Sequence, residues 1–259
     1  SNMSYKHNAY LFHSSDWIFR PFWTYVAESE KIEIILYFYS ANYEKNQKIT
    51  RSSWHISSWP KFLVWDNYQK KFFEKIIINN KTKIEIVDPI LFEDNSSKIK
   101  GIEIPKNSIA IFTELPQLYS RYVTIGFPDN HYSSENTIKM LEDIIEISED
   151  LEIYLIHKPK RKIGKLINER YLNFIKSLKK IDKNIVISSE VNAAHIIAKC
   201  ICTISQPFTS TALLSRHYNV PSIYYDNTGT LQKNHIAAHD IKIINDKKEL
   251  RKWIMSHII

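Results

Sequence analysis

Glycine is nearly missing from this chain: Gly101, Gly126, Gly164 and Gly229 are the only four in 259 residues. No G-x-G-x-x-G turn and no Walker loop can be written with them, which disfavours nicotinamide enzymes of the standard pattern and P-loop NTPases. Any phosphate bound here must be held by other means. Cysteine is scarcer still, with Cys200 and Cys202 forming a C-x-C inside an apolar run. Lacking a partner pair, they support neither a disulfide framework nor a zinc site and read as small buried strand residues. No run approaches the roughly 18 uninterrupted apolar residues of a membrane helix, and no signal-peptide segment follows the start. A cytoplasmic protein is therefore expected. Ser1 and Asn2, ahead of Met3, read as a cloning remnant.

Hydrophobic residues make up 44% and charged residues 24%, the profile of a soluble globular chain, long enough for two domains of roughly 100 to 150 residues each. Fifteen Tyr and six Trp suit either aromatic core packing or a cleft that binds a sugar or base. The net charge of +7, from 35 basic against 28 acidic residues, implies either an anionic partner or simply a basic surface. The basic residues gather at one predicted pocket edge and no recognised nucleic-acid motif appears, so no nucleic-acid partner is expected.

Ten short apolar runs bounded by turn signals recur along the chain: 9–13, 32–40, 62–66, 84–89, 108–114, 153–159, 184–189, 200–205, 222–226 and 241–245. Each is rich in β-branched or aromatic residues, as buried parallel strands are. Helical patterns alternate with them through the second half, at "SSENTIKMLEDIIEIS", "INERYLNFIKSLKKI", "VNAAHIIAK", "TSTALLSRHY" and "KKELRKWIMSHI". That alternation predicts an α/β fold with sheets covered on both faces. The first half is less regular, with a Trp- and Ser-rich excursion at 50–60. The charged, Asn/Ser-rich stretch at 93–107 gives the boundary signal, dividing the chain into Rossmann-like domains at 4–104 and 105–259.

In an open parallel sheet, ligands sit beyond the carboxyl ends of the strands. There "SQPFTST" places Ser205, Gln206, Pro207, Phe208, Thr209, Ser210 and Thr211 between a strand and a helix start. The segment reads either as a glycine-free phosphate cradle at a helix N-terminus or as an ordinary N-cap with solvated hydroxyls. "HKPKR" ends another strand in His157, Lys158, Lys160 and Arg161, either an anion site or a solvated basic loop. "YYDNTG" offers Tyr225 to stack on a base or sugar and Asp226 to accept from hydroxyls. Glu114, just past Thr113 at a strand end, is a candidate nucleophile or base, with Asp129 as substitute and His131 or His157 as proton-transfer partner. His235 and His239 share a face if helical, but no third ligand is near, so no metal is expected.

The segments "ISQPFTSTALLSRHYNVPSIYYDNTGTLQ", "RPFWTYVAESEKIEIILYFYSAN" and "FLVWDNYQKKF" resemble bacterial polysaccharide-biosynthesis proteins named for their PFTS motif, which include retaining β-Kdo glycosyltransferase domains. The resemblance runs from about Arg20 to the C-terminus. It implies a GT-B-like architecture, two Rossmann-like domains with parallel sheets facing a cleft. It also implies a glycosyltransferase using a CMP-activated donor, with Kdo or a related acidic sugar, and an oligosaccharide or lipid-linked glycan acceptor. The donor phosphate and sugar acid are expected near Ser205 to Thr211 and Lys158 to Arg161, with no separate cofactor. Peripheral association with the inner membrane or with partner enzymes belongs to the same expectation. Where relatives carry an aspartate after the "IAIF" strand, this chain has Thr113, followed by Glu114. Where they carry a glutamate between Tyr25 and Ala27, it has Val26. A non-catalytic nucleotide- or glycan-binding module is the alternative expectation.

Overall fold

The computed structural model describes residues 7–14, 19–42, 57–90, 103–118, 120, 130–162, 164 and 166–258. The chain forms two compact units, Ser1–Leu91 and Phe92–Ile259. The expected boundary at 104/105 follows a stretch, 91–102, that lies outside the described residues, as does 50–56 of the Trp/Ser excursion.

The first unit carries β1 (Ala9–Ser14), α1 (Trp23–Ser29), β2 (Glu33–Phe38), β3 (Lys61–Val64), α2 (Asn67–Ile76) and β4 (Lys83–Ile86). Its four strands are parallel and lie in chain order. The inward positions Ile34, Leu36, Phe38, Phe62 and Val64 pack with Phe73 of α2 into one apolar core. Asp66 starts α2 by accepting from the amides of Tyr68 and Gln69, each at 3.0 Å, which pairs two of the N–H groups a helix start leaves open.

The second unit carries β5 (Ser108–Thr113), α3 (Ser134–Asp150), β6 (Tyr154–Pro159), α4 (Glu169–Leu178), β7 (Asn184–Val186), α5 (Ala193–Ile197), β8 (Cys202–Ser205), α6 (Ser210–His217), β9 (Ser222–Tyr225), β10 (Lys242–Ile244) and α7 (Lys247–Met255). All strands are parallel, in the order β10-β9-β8-β5-β6-β7. Counted from β5 as first strand, this is the 3-2-1-4-5-6 order of doubly wound folds, whose switch point lies between β5 and β8. Among the described residues, each of the ten apolar runs holds one strand, and the five helical patterns hold α3 to α7.

Alternation along β5 divides the core in two. Ile109 and Ile111 face α3, α4 and α7 together with Leu155 of β6, while Ala110 and Phe112 face α5 and α6 together with Ile156. All six β5 residues are buried, and the four between Ser108 and Thr113 are all apolar. Among the described residues, no helix is long and apolar enough to cross a membrane.

Candidate active site

The carboxyl ends of β5 and β8 meet at the switch point, and one side chain fastens them together. Gln206, the first residue past β8, is 1% exposed. Its backbone amide donates to the Phe112 carbonyl at 2.9 Å, and its Oε1 accepts from the Glu114 amide at 2.9 Å. Its Nε2 donates to the His131 carbonyl and to Thr137 Oγ1 of α3. Both donors of the amide are thereby taken up by the protein, so Gln206, expected to touch a ligand, is instead an internal fastener.

The Pro207–Thr209 turn that follows is held from several sides. Tyr132 donates to the Pro207 carbonyl at 2.7 Å, Tyr224 donates to the Thr209 carbonyl at 3.1 Å, and Thr209 Oγ1 donates back to the Gln206 carbonyl at 2.8 Å. Phe208 has φ of 57°, a left-handed conformation that costs a bulky residue roughly 1–3 kcal/mol. Its buried ring packs against His235, Tyr224 and His131 at centroid distances of 4.8, 5.9 and 6.1 Å, and these contacts hold it there.

Thr209 stands at the N-cap of α6, yet its hydroxyl points back to Gln206 and does not cap the helix. By contrast α3, α4, α5 and α7 are capped by Ser133, Asn168, Asn192 and Asp246. Ser205 and Thr211 hydroxyls lie 2.9 Å apart across the strand–helix joint. Half-buried Ser210 sits on the first turn, so amides and hydroxyls remain directed at that end.

At the end of β6, consecutive residues part company. His157 faces the α4 side, with Nε2 3.0 Å from Thr113 Oγ1, which in turn lies 3.4 Å from the Tyr171 hydroxyl. Complete burial pushes the imidazole down to about 4 and the Tyr171 phenol up to about 12. His157 Nδ1 is buried without a hydrogen-bond partner among the described residues. The imidazole thus lies in the core, 3% exposed and hydrogen-bonded to Thr113, instead of at the open face where a proton-transfer partner is expected. Lys158 faces the other way, the side of Phe112 and Ile156 where α6 begins. It is 7% exposed, burial pushes its ammonium below the usual range, and it pairs with no carboxylate among the described residues. Lys160 does form an ion pair, with Glu114, and Arg161 is exposed. The two strand-end candidates are therefore brought together.

Three further expectations fail on side-chain direction. Tyr225 is 1% exposed and donates to Asp143 Oδ2 at 2.9 Å; it belongs to the α3 side of the core and offers no stacking face. Asp226 is fully buried, accepting from the amides of Thr228 and Leu231 and from the Thr228 hydroxyl, so its carboxylate shapes the turn after β9 and does not face an open surface. His131 is 4% exposed, its ring edge-on to Tyr132, inside the packing of the turn and away from an open surface. Asp129 lies outside the described residues. His235 and His239 flank a short 3-10 turn (Ile236–Ala238), with His239 in a left-handed conformation, so they do not share a helix face.

A family profile described as "Polysaccharide biosynthesis PFTS motif protein" matches residues 2–254. The chain belongs to this family. The motif for which the family is named is the Pro207–Ser210 turn at the switch point. A comparison with curated proteins found no match. Among solved structures, the chain is similar to UDP-GlcNAc 2-epimerase from Methanocaldococcus jannaschii, with 16% identity and a TM-score of 0.53 over 90% of this chain and 65% of the epimerase. It is also similar to Glycyrrhiza uralensis UGT73P12 complexed with glycyrrhetinic acid 3-O-monoglucuronide (11%, TM-score 0.51, 97% of this chain and 65% of that one). The glycotransferase of kitacinnamycin gives 9% identity and a TM-score of 0.53 over 98% of this chain and 68% of that one. The chain thus spans about two thirds of the length of these structures. They share its fold, an α/β architecture with parallel sheets of the kind found in GT-B glycosyltransferases.

Proposed function

We propose that this member of a polysaccharide-biosynthesis family is a glycosyltransferase that moves a sugar from a nucleotide-activated donor to a glycan acceptor. The observation that carries the reading is Lys158, a largely buried side chain that pairs with no carboxylate among the described residues and lies on the same side of the sheet as the uncapped start of α6. Burying such a cation is costly, and an anion at this edge would offset the cost. The donor phosphate would take its hydrogen bonds from the first turn of α6 and from the Ser210 and Thr211 hydroxyls, with Lys158 neutralising the leaving group as the glycosidic bond breaks. Glu114, drawn to Lys160, is the carboxylate available to receive the acceptor's proton or to attack the sugar. The amino-terminal unit, with an apolar cavity of about 210 Å³ lined mainly by Phe12, Phe19, Leu36 and Trp59, would serve the acceptor.

The donor we favour is CMP-linked, with Kdo or a related acidic sugar, on the strength of the PFTS-motif resemblance. UMP is the proper competitor, because one structural neighbour is named for UDP-GlcNAc. A thermal-shift panel of nucleoside monophosphates should give its largest shift with CMP; a larger shift with UMP would move the donor class, and no shift with any would remove the nucleotide site. Lys158→Ala should weaken CMP binding by about 10- to 100-fold, the worth of one charged hydrogen bond.

One observation favours a second reading, a nucleotide-binding module without turnover. Thr113 holds the position of the relatives' aspartate and is turned inward, 1% exposed, onto His157 and Tyr171. CMP binding by titration calorimetry, with no hydrolysis or transfer from several CMP-sugars, would select it.

A further inference from the structure

We infer that Gln206 is the positioning residue of the transfer step, setting where Glu114 stands without touching the donor. The inference rests on the glycosyltransferase reading above. Glu114 is the first residue past β5, where the ladder to β8 has ended, and its amide finds an acceptor in the Gln206 side chain in place of a strand. The same side chain is anchored by Thr137 Oγ1 of α3 at 3.0 Å and by the His131 carbonyl. Its backbone amide holds the Phe112 carbonyl, two residues before Glu114. The PFTS turn and Glu114 are thus pinned to one another through a single residue.

Only an amide of this length supplies the set of one acceptor and two donors. Glutamate keeps the acceptor and loses both donors, and methionine keeps the shape and loses all three. If Gln206 acted as a donor ligand, its loss would appear as weaker nucleotide binding. Acting through Glu114, it leaves binding intact and slows the step that Glu114 serves.

The test uses the full chain with Gln206→Met, Gln206→Glu and Glu114→Gln, reading CMP affinity by calorimetry, turnover of a CMP-sugar, and hydrogen exchange at the Glu114 amide. Gln206→Met should keep the CMP Kd within about 3-fold while kcat falls by about 100-fold, the cost of a misplaced reacting group. Glu114 exchange should quicken at least about tenfold. Adding Gln206→Met to Glu114→Gln should cost nothing further. Parallel loss of affinity and kcat, multiplicative losses in the double variant, an unchanged kcat, or a fully active Glu114→Gln would each overturn the inference. Should Gln206→Met fail to fold, Thr137→Val removes one anchor at nearly constant shape and must show the same split in weaker form. A wild-type chain that binds CMP but turns nothing over defeats the glycosyltransferase reading, and the exchange measurement still reports whether Gln206 holds Glu114.

Discussion

His157 and Lys158 are adjacent in the chain and belong to different environments, one a neutral imidazole in the core and the other a cation at the sheet edge. Their separation has a measurable sign. The His157 imidazole titrates near 6.5 when unfolded and near 4 when folded, so the unfolded chain takes up its proton first as pH falls. Its contribution is complete above pH 6.5 and is lost between 6.5 and about 4, amounting to roughly 3 kcal/mol. Denaturant melts at pH 7.5 and pH 4.5 should show that loss in the wild type. His157→Gln should flatten it, and an equal slope in both proteins would remove His157 as the cause. The sequence marked the whole "HKPKR" cluster without distinguishing its members, although strand alternation forbids neighbours from facing the same side. Which parity faces α6 depends on the layers above and below the sheet. That is a tertiary fact, and it is why Tyr225, expected to stack on a ligand, and His157, expected to move a proton, lie in the core.

At the scale of elements, β8 and α6 are joined by small hydroxyls. Thr203 Oγ1 donates to Ser215 Oγ at 2.8 Å, and Ser215 Oγ donates to the Thr211 carbonyl at 2.8 Å, with both residues fully buried. Removing the acceptor strands a donor, so Ser215→Ala should cost roughly 1–3 kcal/mol, whereas Thr203→Val should cost less than about 1 kcal/mol. Equal costs in thermal or urea melts would contradict this order. The central strands β5, β6 and β8 are legible because parallel strands buried on both faces are rich in apolar residues. The helix α2 was not read from the sequence, although Asp66 followed three residues later by Gln69 is a helix-start signal. There Gln69 Oε1 accepts from the Trp65 amide at 2.9 Å, one residue ahead of the N-cap. The three Lys residues of α2 interrupt the apolar pattern around Phe73 and Ile76, the positions that seat it. The PFTS turn is legible as a strand–helix joint, yet which hydroxyls face the protein and which are left at the helix start depends on the tertiary packing of the turn.

At the scale of the whole molecule, the second unit has its own sheet, its own cores and every residue of the switch-point site. A fragment of residues 103–259 should therefore unfold cooperatively by circular dichroism and show the same CMP-dependent thermal shift as the full chain. A fragment that folds but gives no shift would mean that the first unit contributes to nucleotide binding. The turn at Pro207–Thr209 bears on something else, the time course of binding. It contains no glycine, it is tied at both flanking carbonyls, and its one strained residue is wedged by three rings. A site fixed in this way has no segment to order before it can accept a ligand. Capture of the donor would then be limited by diffusion and by the attraction of a chain of net charge +7 for an anion, and the association rate would fall as salt is added. Selectivity among nucleotides would accordingly reside in how long each one stays.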